Sequence, residues 1–565
     1  MGVGKFINYK NKGGATGDGS AIVSDWPNIS NTAGINEIVM LVGDMSNEFS
    51  YKVSLAGAGT FMVDYGTGEP HVQYTATGTS FVTFSKQYVK GSGRPCVEGY
   101  TTFIVKIYGA TQNIQKHRAG RSGDFGAAQV SPILWIESGV NTLIDINWTT
   151  YGDSFPYTIF PWLRKLNMCS QGATLLNITS AWGFCRDCPD LQFVNIGSQI
   201  GPVTNWDNAF QNTGMVDFTL ESFGTASSFT AHYMFADGKK LRRLILPTSW
   251  GGANVVDRML RNNPSLEYVG LPTEASSNIS SAIEFMHLCT QATADADRVT
   301  AMLNSSNQVN AQSIFQYCEM MLAGQTLTLI GRLASFGCNG QSYPSAKSRI
   351  TGLRLMNQLS TFDGGSPQLN LSYALFPKLA LETVFSDIPT GLPSGKVINV
   401  TNSTGSDYIS RSMTISMNST VVAVTNTTGL SVGMTCTGTN VVGLHTVTLT
   451  DTNDIVTENN HDLVDGKIIS FSAITGTTGI TINTPYYVRN STNNTFQISL
   501  TSDGAIIDLV SNGTATMRTV PKIISIVPNT SITLDAHCKG NGSVTVVASN
   551  LDRSIVIHKG FTVTQ

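Results

Sequence analysis

Two cysteines at the ends of Cys185-Arg186-Asp187-Cys188 have the CxxC spacing that can contribute to a zinc site. A zinc site needs a second such pair or two nearby histidines. The eight histidines, at 71, 117, 232, 287, 445, 461, 537 and 558, supply neither that nor an HExxH helix. The pair is therefore expected to be buried and structural, and no metal is expected. Asp64 is a calcium candidate, but one carboxylate is far short of the roughly six to eight oxygens calcium takes, so a turn-stabilising role is expected. Cleaving a glycosidic bond needs two carboxylates converging on one cleft; Asp257 and Glu267 are arbitrary candidates, because sequence spacing does not establish convergence. No G-x-S-x-G elbow or Walker loop is present, and the Gly-rich Leu55-Ala56-Gly57-Ala58-Gly59 is not followed by a helical pattern. No catalytic residue and no cofactor are predicted. What remains is recognition chemistry: Phe193, Arg242, Arg243, Tyr268 and Arg354, with Asp217, combine rings that stack on sugars with guanidinium groups that meet carboxylates or a partner protein.

Those residues occupy the x positions of a recurring L-x-x-L-x-L pattern. It is found at Leu163/Leu166/Met168, Leu191/Val194/Ile196, Met215/Phe218/Leu220, Leu241/Leu244/Leu246, Leu266/Val269/Leu271 and Ile350/Leu353/Leu355. The starts at 163, 191, 215, 241 and 266 lie 28, 24, 26 and 25 residues apart. A short strand in each unit turns its apolar residues inward, and only stacked neighbours can bury them. The x positions then line an outward face. Phe184, Phe210, Phe235 and Leu260 precede four of the units, and Leu-Pro-Thr follows two strands, at Leu246-Pro247-Thr248 and Leu271-Pro272-Thr273. The pattern resembles the BspA-like leucine-rich repeats, which implies an α/β solenoid with a parallel sheet over roughly 155–375. Ala282 to Leu288 and Ala294 to Leu303 have helical periodicity and are expected as insertions on its convex side.

Composition bounds the rest. The 565 residues exceed one hydrophobic core, so several domains are expected. Charged residues are 13%, against a usual ~25%, replaced by Thr, Ser, Asn and 54 Gly, which favour strands and tight turns. A net charge of −3 offers no basic field for nucleic acid or an anionic membrane surface. No apolar run is long enough for a transmembrane helix, so membrane insertion is not expected. The opening Met1-Gly2-Val3-Gly4-Lys5-Phe6 lacks a signal-peptide run, which predicts assembly in a cytoplasm. Nine scattered cysteines are expected as mostly buried thiols.

Residues 11–35 are too rich in Gly and Asn to bury much surface. Strand-length runs follow at Glu37 to Val42, Glu48 to Leu55, Thr60 to Asp64, Ser80 to Phe84 and Thr101 to Tyr108, predicting a β-sandwich. Phe61-Met62-Val63-Asp64-Tyr65-Gly66-Thr67-Gly68 resembles the YTVDWGDG signature of PKD-like immunoglobulin-type domains, with Thr67 in place of the second Asp. Asp387 to Gly395 is rich in Pro, Gly and Ser and ends the repeats. Beyond it, Thr427-Thr428-Gly429-Leu430-Ser431-Val432-Gly433-Met434 resembles a small β module of phage virion proteins, whose continuation arrives only at Lys522 to Ile526 and Thr530 to Leu534. Between them, His461-Asp462-Leu463, Pro485-Tyr486-Tyr487-Val488 and Asn494-Thr495-Phe496-Gln497-Ile498-Ser499 closely resemble a second phage structural repeat, in which Gly stands at the place of Asp462.

The expected organisation is a Gly/Asn-rich arm (1–35), a PKD/Ig-like β-sandwich (36–120), the BspA-like domain (121–386), a linker (387–407), an Ig-like β module (408–440 plus 520–565) and a β module inserted into it (441–519). The fold class is thus multidomain and mainly β. The resemblances imply a structural component of a bacteriophage particle, a fibre, spike or head decoration acting in assembly, stabilisation or host attachment. Its implied partners are other virion proteins, further copies of itself and a host surface glycan or receptor. A tailspike-type polysaccharide-degrading enzyme and a bacterial surface adhesin are the alternatives.

Overall fold

Beta-branched residues at alternate positions suit pleated surfaces, and in the computed structural model the chain is mainly β, 37% strand against 6% helix. The structure describes residues 26–564 apart from 46–47, 120–128, 131, 145–157, 160–161, 275–277, 305–308, 317, 319–322, 330–332, 338–349, 356–368, 393–394 and 404. Most of the arm expected over 1–35 lies outside the described residues.

Ile38–Gly43 is buried on both faces, which accounts for its unbroken apolar sequence. It lies between Ile133–Ser138 and Thr101–Tyr108, antiparallel to both. One face shares a core with a three-stranded sheet of Val82–Lys86, Phe49–Leu55 and Ile114–Ala119, filled by Phe49, Tyr51, Phe61 and Phe84. The other face, which presents Val39, Leu41 and Trp135, is covered by Trp26, Ile29 and Ala33. Asp64 accepts the Gly66 N–H at 2.8 Å, closing the tight turn that follows its strand. Ile133–Ser138 then pairs in parallel with Lys165–Asn167, and that strand with Phe193–Asn195, so this sheet runs on into the repeats without a break.

The repeat stretch is β-solenoid-like and is not the leucine-rich α/β repeat that the spacing suggests. The leucines do face inward: Leu163, Leu166, Leu191, Leu241, Leu244, Leu266 and Leu353 are buried. The far side of each coil, however, carries a second parallel ladder instead of a helix. It passes through Ser180, Asn205, Thr230, Val255, Ser281 and Asn310, then Leu333–Gly337, Leu369–Asn370 and Lys396–Asn399.

Three residues beyond this ladder the backbone turns left-handed in coil after coil. Asn208, Tyr233, Arg258, Glu284 and Ser313 have φ of 59°, 54°, 55°, 51° and 54°. The N–H groups of Asn208, Phe210 and Asn212 donate to the carbonyls of His232, Met234 and Ala236 in the next coil, at 2.8, 2.7 and 2.8 Å. Donors used between coils cannot close the i→i−4 bonds of a helix. Ala282 to Leu288, expected as helical, is one of these turns, with Glu284, Met286 and Leu288 donating to Gln312, Ile314 and Gln316. The second expected helix is present as Ala296–Leu303. Inside the turns runs a column of buried rings, including Phe210 and Phe235 stacked at 5.1 Å.

The stretch 387–407, expected as a linker, holds the strand Lys396–Asn399, a rung of the solenoid. From there the chain builds a six-stranded sheet in the order Thr435–Thr437, Gly542–Ser549, Tyr408–Ile415, Val421–Ala423, Ser531–Leu534, Ile523–Val527. Within it, Gly443–Thr450, Ile455–Thr457, Ile468–Thr475, Tyr486–Arg489, Thr495–Ser499 and Gly513–Thr519 close a separate barrel. After the helix Ser554–His558, Phe561–Thr564 returns to pair in parallel with Lys396–Asn399. No helix among the described residues is long and apolar enough to cross a membrane.

Candidate binding face on the solenoid

Arg243 and Tyr268 are register partners on adjacent coils, held opposite one another by the ladder that buries Leu244 against Val269. Alternation turns both outward, and the Arg243 guanidinium lies 5.9 Å from the centre of the Tyr268 ring. One position earlier, Arg242 meets Glu267 in a fork: Nε donates to Oε1 at 2.9 Å and Nη2 to Oε2 at 3.1 Å. Tyr268 OH donates to Asp295 Oδ2 at 3.4 Å. Arg298 Nε lies 3.1 Å from the same oxygen, and its Nη1 donates to the Leu271 carbonyl at 2.8 Å. Three coils thus contribute three arginines, a ring and two carboxylates to one patch. Held in place by neighbours, these groups lose little side-chain freedom when a ligand arrives, and their chemistry suits a hydroxyl-rich or mixed-charge partner.

Of the five residues singled out from the sequence, the structure brings together Arg242, Arg243 and Tyr268. Phe193 belongs to the sheet shared with the N-terminal sandwich. It is 42% exposed and pairs with Lys165, whose ammonium stands 4.0 Å above the Trp135 ring. Arg354 lies on a different two-stranded sheet and is taken up by the fold: it forks onto Asp387, Nε to Oδ2 at 2.7 Å and Nη2 to Oδ1 at 3.1 Å. Asp295 and Arg298 escape sequence reasoning because they lie outside the L-x-x-L-x-L units. Glu267 belongs to the face through Arg242. Asp257 is engaged elsewhere, by Ser281 Oγ at 2.6 Å and the Ile283 N–H at 2.8 Å.

Cys185 and Cys188 are buried, and burial pushes both thiols well up, away from the thiolate needed for metal binding or exchange. His117 is also buried, between Tyr51 OH at 2.7 Å and Ser138 Oγ at 3.3 Å, and desolvation pushes its imidazole down to about 3. Among the described residues one group of carboxylates has ligand atoms within 4.8 Å of one another, Asp451, Asp454 and Asp508 on the barrel; Asp454 Oδ1 accepts the Leu509 N–H at 2.8 Å.

In the barrel, His461 Nδ1 accepts the Leu463 N–H at 3.0 Å, and the ring stands edge-on to Phe496 at 5.1 Å. Asp462 has φ of 51°, in the left-handed region that favours glycine. Asp tolerates it better than most residues do.

No protein-family model matches this chain, and neither a curated protein nor a solved structure matches it.

Proposed function

We propose that this chain is a non-enzymatic structural component of a bacteriophage particle, carried at the surface as a fibre, spike or head decoration and assembled with copies of itself and other virion proteins. The observation that carries the reading is the forked and stacked patch of Arg242, Glu267, Arg243 and Tyr268 on a body whose coils are bonded along two parallel ladders. A face so supported presents fixed donors and rings to a host glycan or receptor. The motifs at Thr427 to Met434 and at His461 to Ser499 support the phage assignment through their resemblance to virion modules. The test is binding of the full chain to purified host surface polysaccharide, with reducing sugar measured in parallel. Binding without sugar release, lost in the Arg243→Ala, Tyr268→Ala double variant, is expected. Sustained sugar release would replace the structural reading with that of a depolymerase.

A further inference from the structure

One residue after a second left-handed position in each coil, the chain turns a residue into the solenoid interior. These residues are Cys188, Thr213, Gly238, Asn263 and Cys289, following Asp187, Asn212, Asp237, Asn262 and Leu288 with φ of 58°, 55°, 62°, 58° and 62°. Bonds between coils carry the register one step further. The Asn262 N–H donates to the His287 carbonyl and the Leu288 N–H to the Gln316 carbonyl, so Cys318 stacks on Cys289 as Cys289 stacks on Asn263. All six are buried.

The last three side chains of this column share one geometry. Asn263 Nδ2 donates to the Phe235 carbonyl at 2.9 Å, Cys289 Sγ to the Leu260 carbonyl at 2.8 Å and Cys318 Sγ to the Met286 carbonyl. Each oxygen lies three residues before the counterpart on the preceding coil. The position thus calls for a buried donor, which asparagine supplies at 263 without sulfur. Two consecutive cysteines add a chemistry that this need does not explain. Among the described residues the column sets a cysteine on a cysteine at this one step, since Cys188 faces Thr213.

We propose that Cys289 and Cys318 are a disulfide-forming pair that staples two neighbouring coils of the solenoid together under oxidising conditions.

The backbone permits the bond. Neighbouring strands lie about 4.8 Å apart, inside the range of about 4.4–6.8 Å between the Cα atoms of a disulfide. The Cβ atoms have to draw in to about 3.8 Å, so closure pulls the two turns together locally. Taking both sulfurs off their oxygens strands neither carbonyl. Leu260 O keeps Asn263 Nδ2 at 2.6 Å, and Met286 O keeps the Cys289 N–H at 3.3 Å. Burial, with the Cys289 thiol beside it, holds the Cys318 thiol well above the ordinary range. Thiolate is therefore scarce in the closed coils, and the bond forms while they fold or transiently open.

The chemistry is thiol–disulfide exchange with a small-molecule disulfide as oxidant. One cysteine thiolate attacks the oxidant and releases one small thiolate. The second cysteine thiolate attacks the sulfur of the first in the mixed disulfide, which forms the Cys289–Cys318 bond and releases the other small thiolate. The two protons lost by the cysteines end on the two released thiols, and the oxidant takes up the two electrons.

The test uses the full chain, reduced and then either incubated folded or refolded from denaturant with oxidised glutathione. Remaining thiols are alkylated and the protein is digested with trypsin without reduction. Cleavage after Arg261, Arg298 and Arg332 places the cysteines in peptides 262–298 and 299–332, each with a single cysteine. The expected product is these two peptides joined to each other. In the oxidised chain the amides of Glu284, Met286 and Leu288, which bond to the next coil, should exchange at least tenfold more slowly than in the reduced chain. Reduction should restore the faster exchange. Free thiols at both positions even after refolding with the oxidant, pairing of either one with another cysteine, or a joined pair with unchanged exchange would overturn the proposal.

Discussion

Asn399 and Thr564 are register partners in a parallel ladder, so the chain that leaves the solenoid to build the six-stranded sheet and the barrel returns to the strand it left. The return is anchored from both sides. Phe561 is 3% exposed within the solenoid's core cluster. Lys559, buried beside it, donates to the carbonyls of Phe385, Ser386 and Ile388 at the end of the helix Lys378–Asp387. Those carbonyls have no partner further along the helix, so the lysine satisfies groups that would otherwise be left orphaned.

Phe561→Ala should therefore cost about 3 kcal/mol or more. The loss should be local at first, with faster amide exchange in Lys396–Asn399 and Leu369–Asn370 than in the coils around Phe210. Denaturant titration combined with exchange measures both.

Asn263 lies in the solenoid interior, where its Nδ2 donates to Phe235 O at 2.9 Å and Leu260 O at 2.6 Å and its Oδ1 accepts the Gly238 N–H at 2.8 Å. Asn263→Ala strands the Phe235 carbonyl and the Gly238 N–H, while the Leu260 carbonyl keeps the Cys289 thiol at 2.8 Å, and should cost about 2–3 kcal/mol. Asn212→Ala, which removes a half-buried bond to Asp187, should cost under about 1 kcal/mol. Equal losses in thermal unfolding would contradict the interior role of Asn263.

His117, buried and neutral, titrates near 3 in the folded chain against 6.5 when exposed. Its folded value is depressed, so the unfolded chain binds the extra proton between those limits. Stability of the N-terminal sandwich is complete above pH 6.5 and falls as the pH drops toward 3, by about 1.4 kcal/mol per pH unit for this one group. His117→Gln should flatten that slope, as read from denaturation midpoints at several pH values.

Arg243→Ala with Tyr268→Ala should abolish host-glycan binding, at least tenfold, with the unfolding temperature nearly unchanged, because both side chains project outward from the ladder. Arg354→Ala should do the reverse, lowering stability through the abandoned Asp387 carboxylate and leaving binding intact. Parallel binding and unfolding measurements separate the two roles.

The mainly β character is legible in the sequence, since runs such as Ile38 to Val42 have strand length and β-branched content. The inward leucines are legible as well, but the solenoid's class is not. L-x-x-L-x-L reports only which side chains face inward, a feature that helical and all-β coils share. The discriminating signal lies in the turns. Asn208, Asn212, Asp237 and Asn262 take left-handed φ, and Asn205, Asn310 and Asn399 accept the N–H two residues on. Such residues are easily read as generic loop composition. On the candidate face, outward alternation points to Arg242, Arg243 and Tyr268, whereas Asp295 and Arg298 become neighbours only through a register between coils that repeat spacing does not specify.

The most direct test of the central claim is mass spectrometry of phage particles purified from a host producing this chain. The account predicts the chain in intact particles at a fixed copy number that survives stringent washing. Its absence from particles, with the protein abundant in the producing cells, would contradict the account.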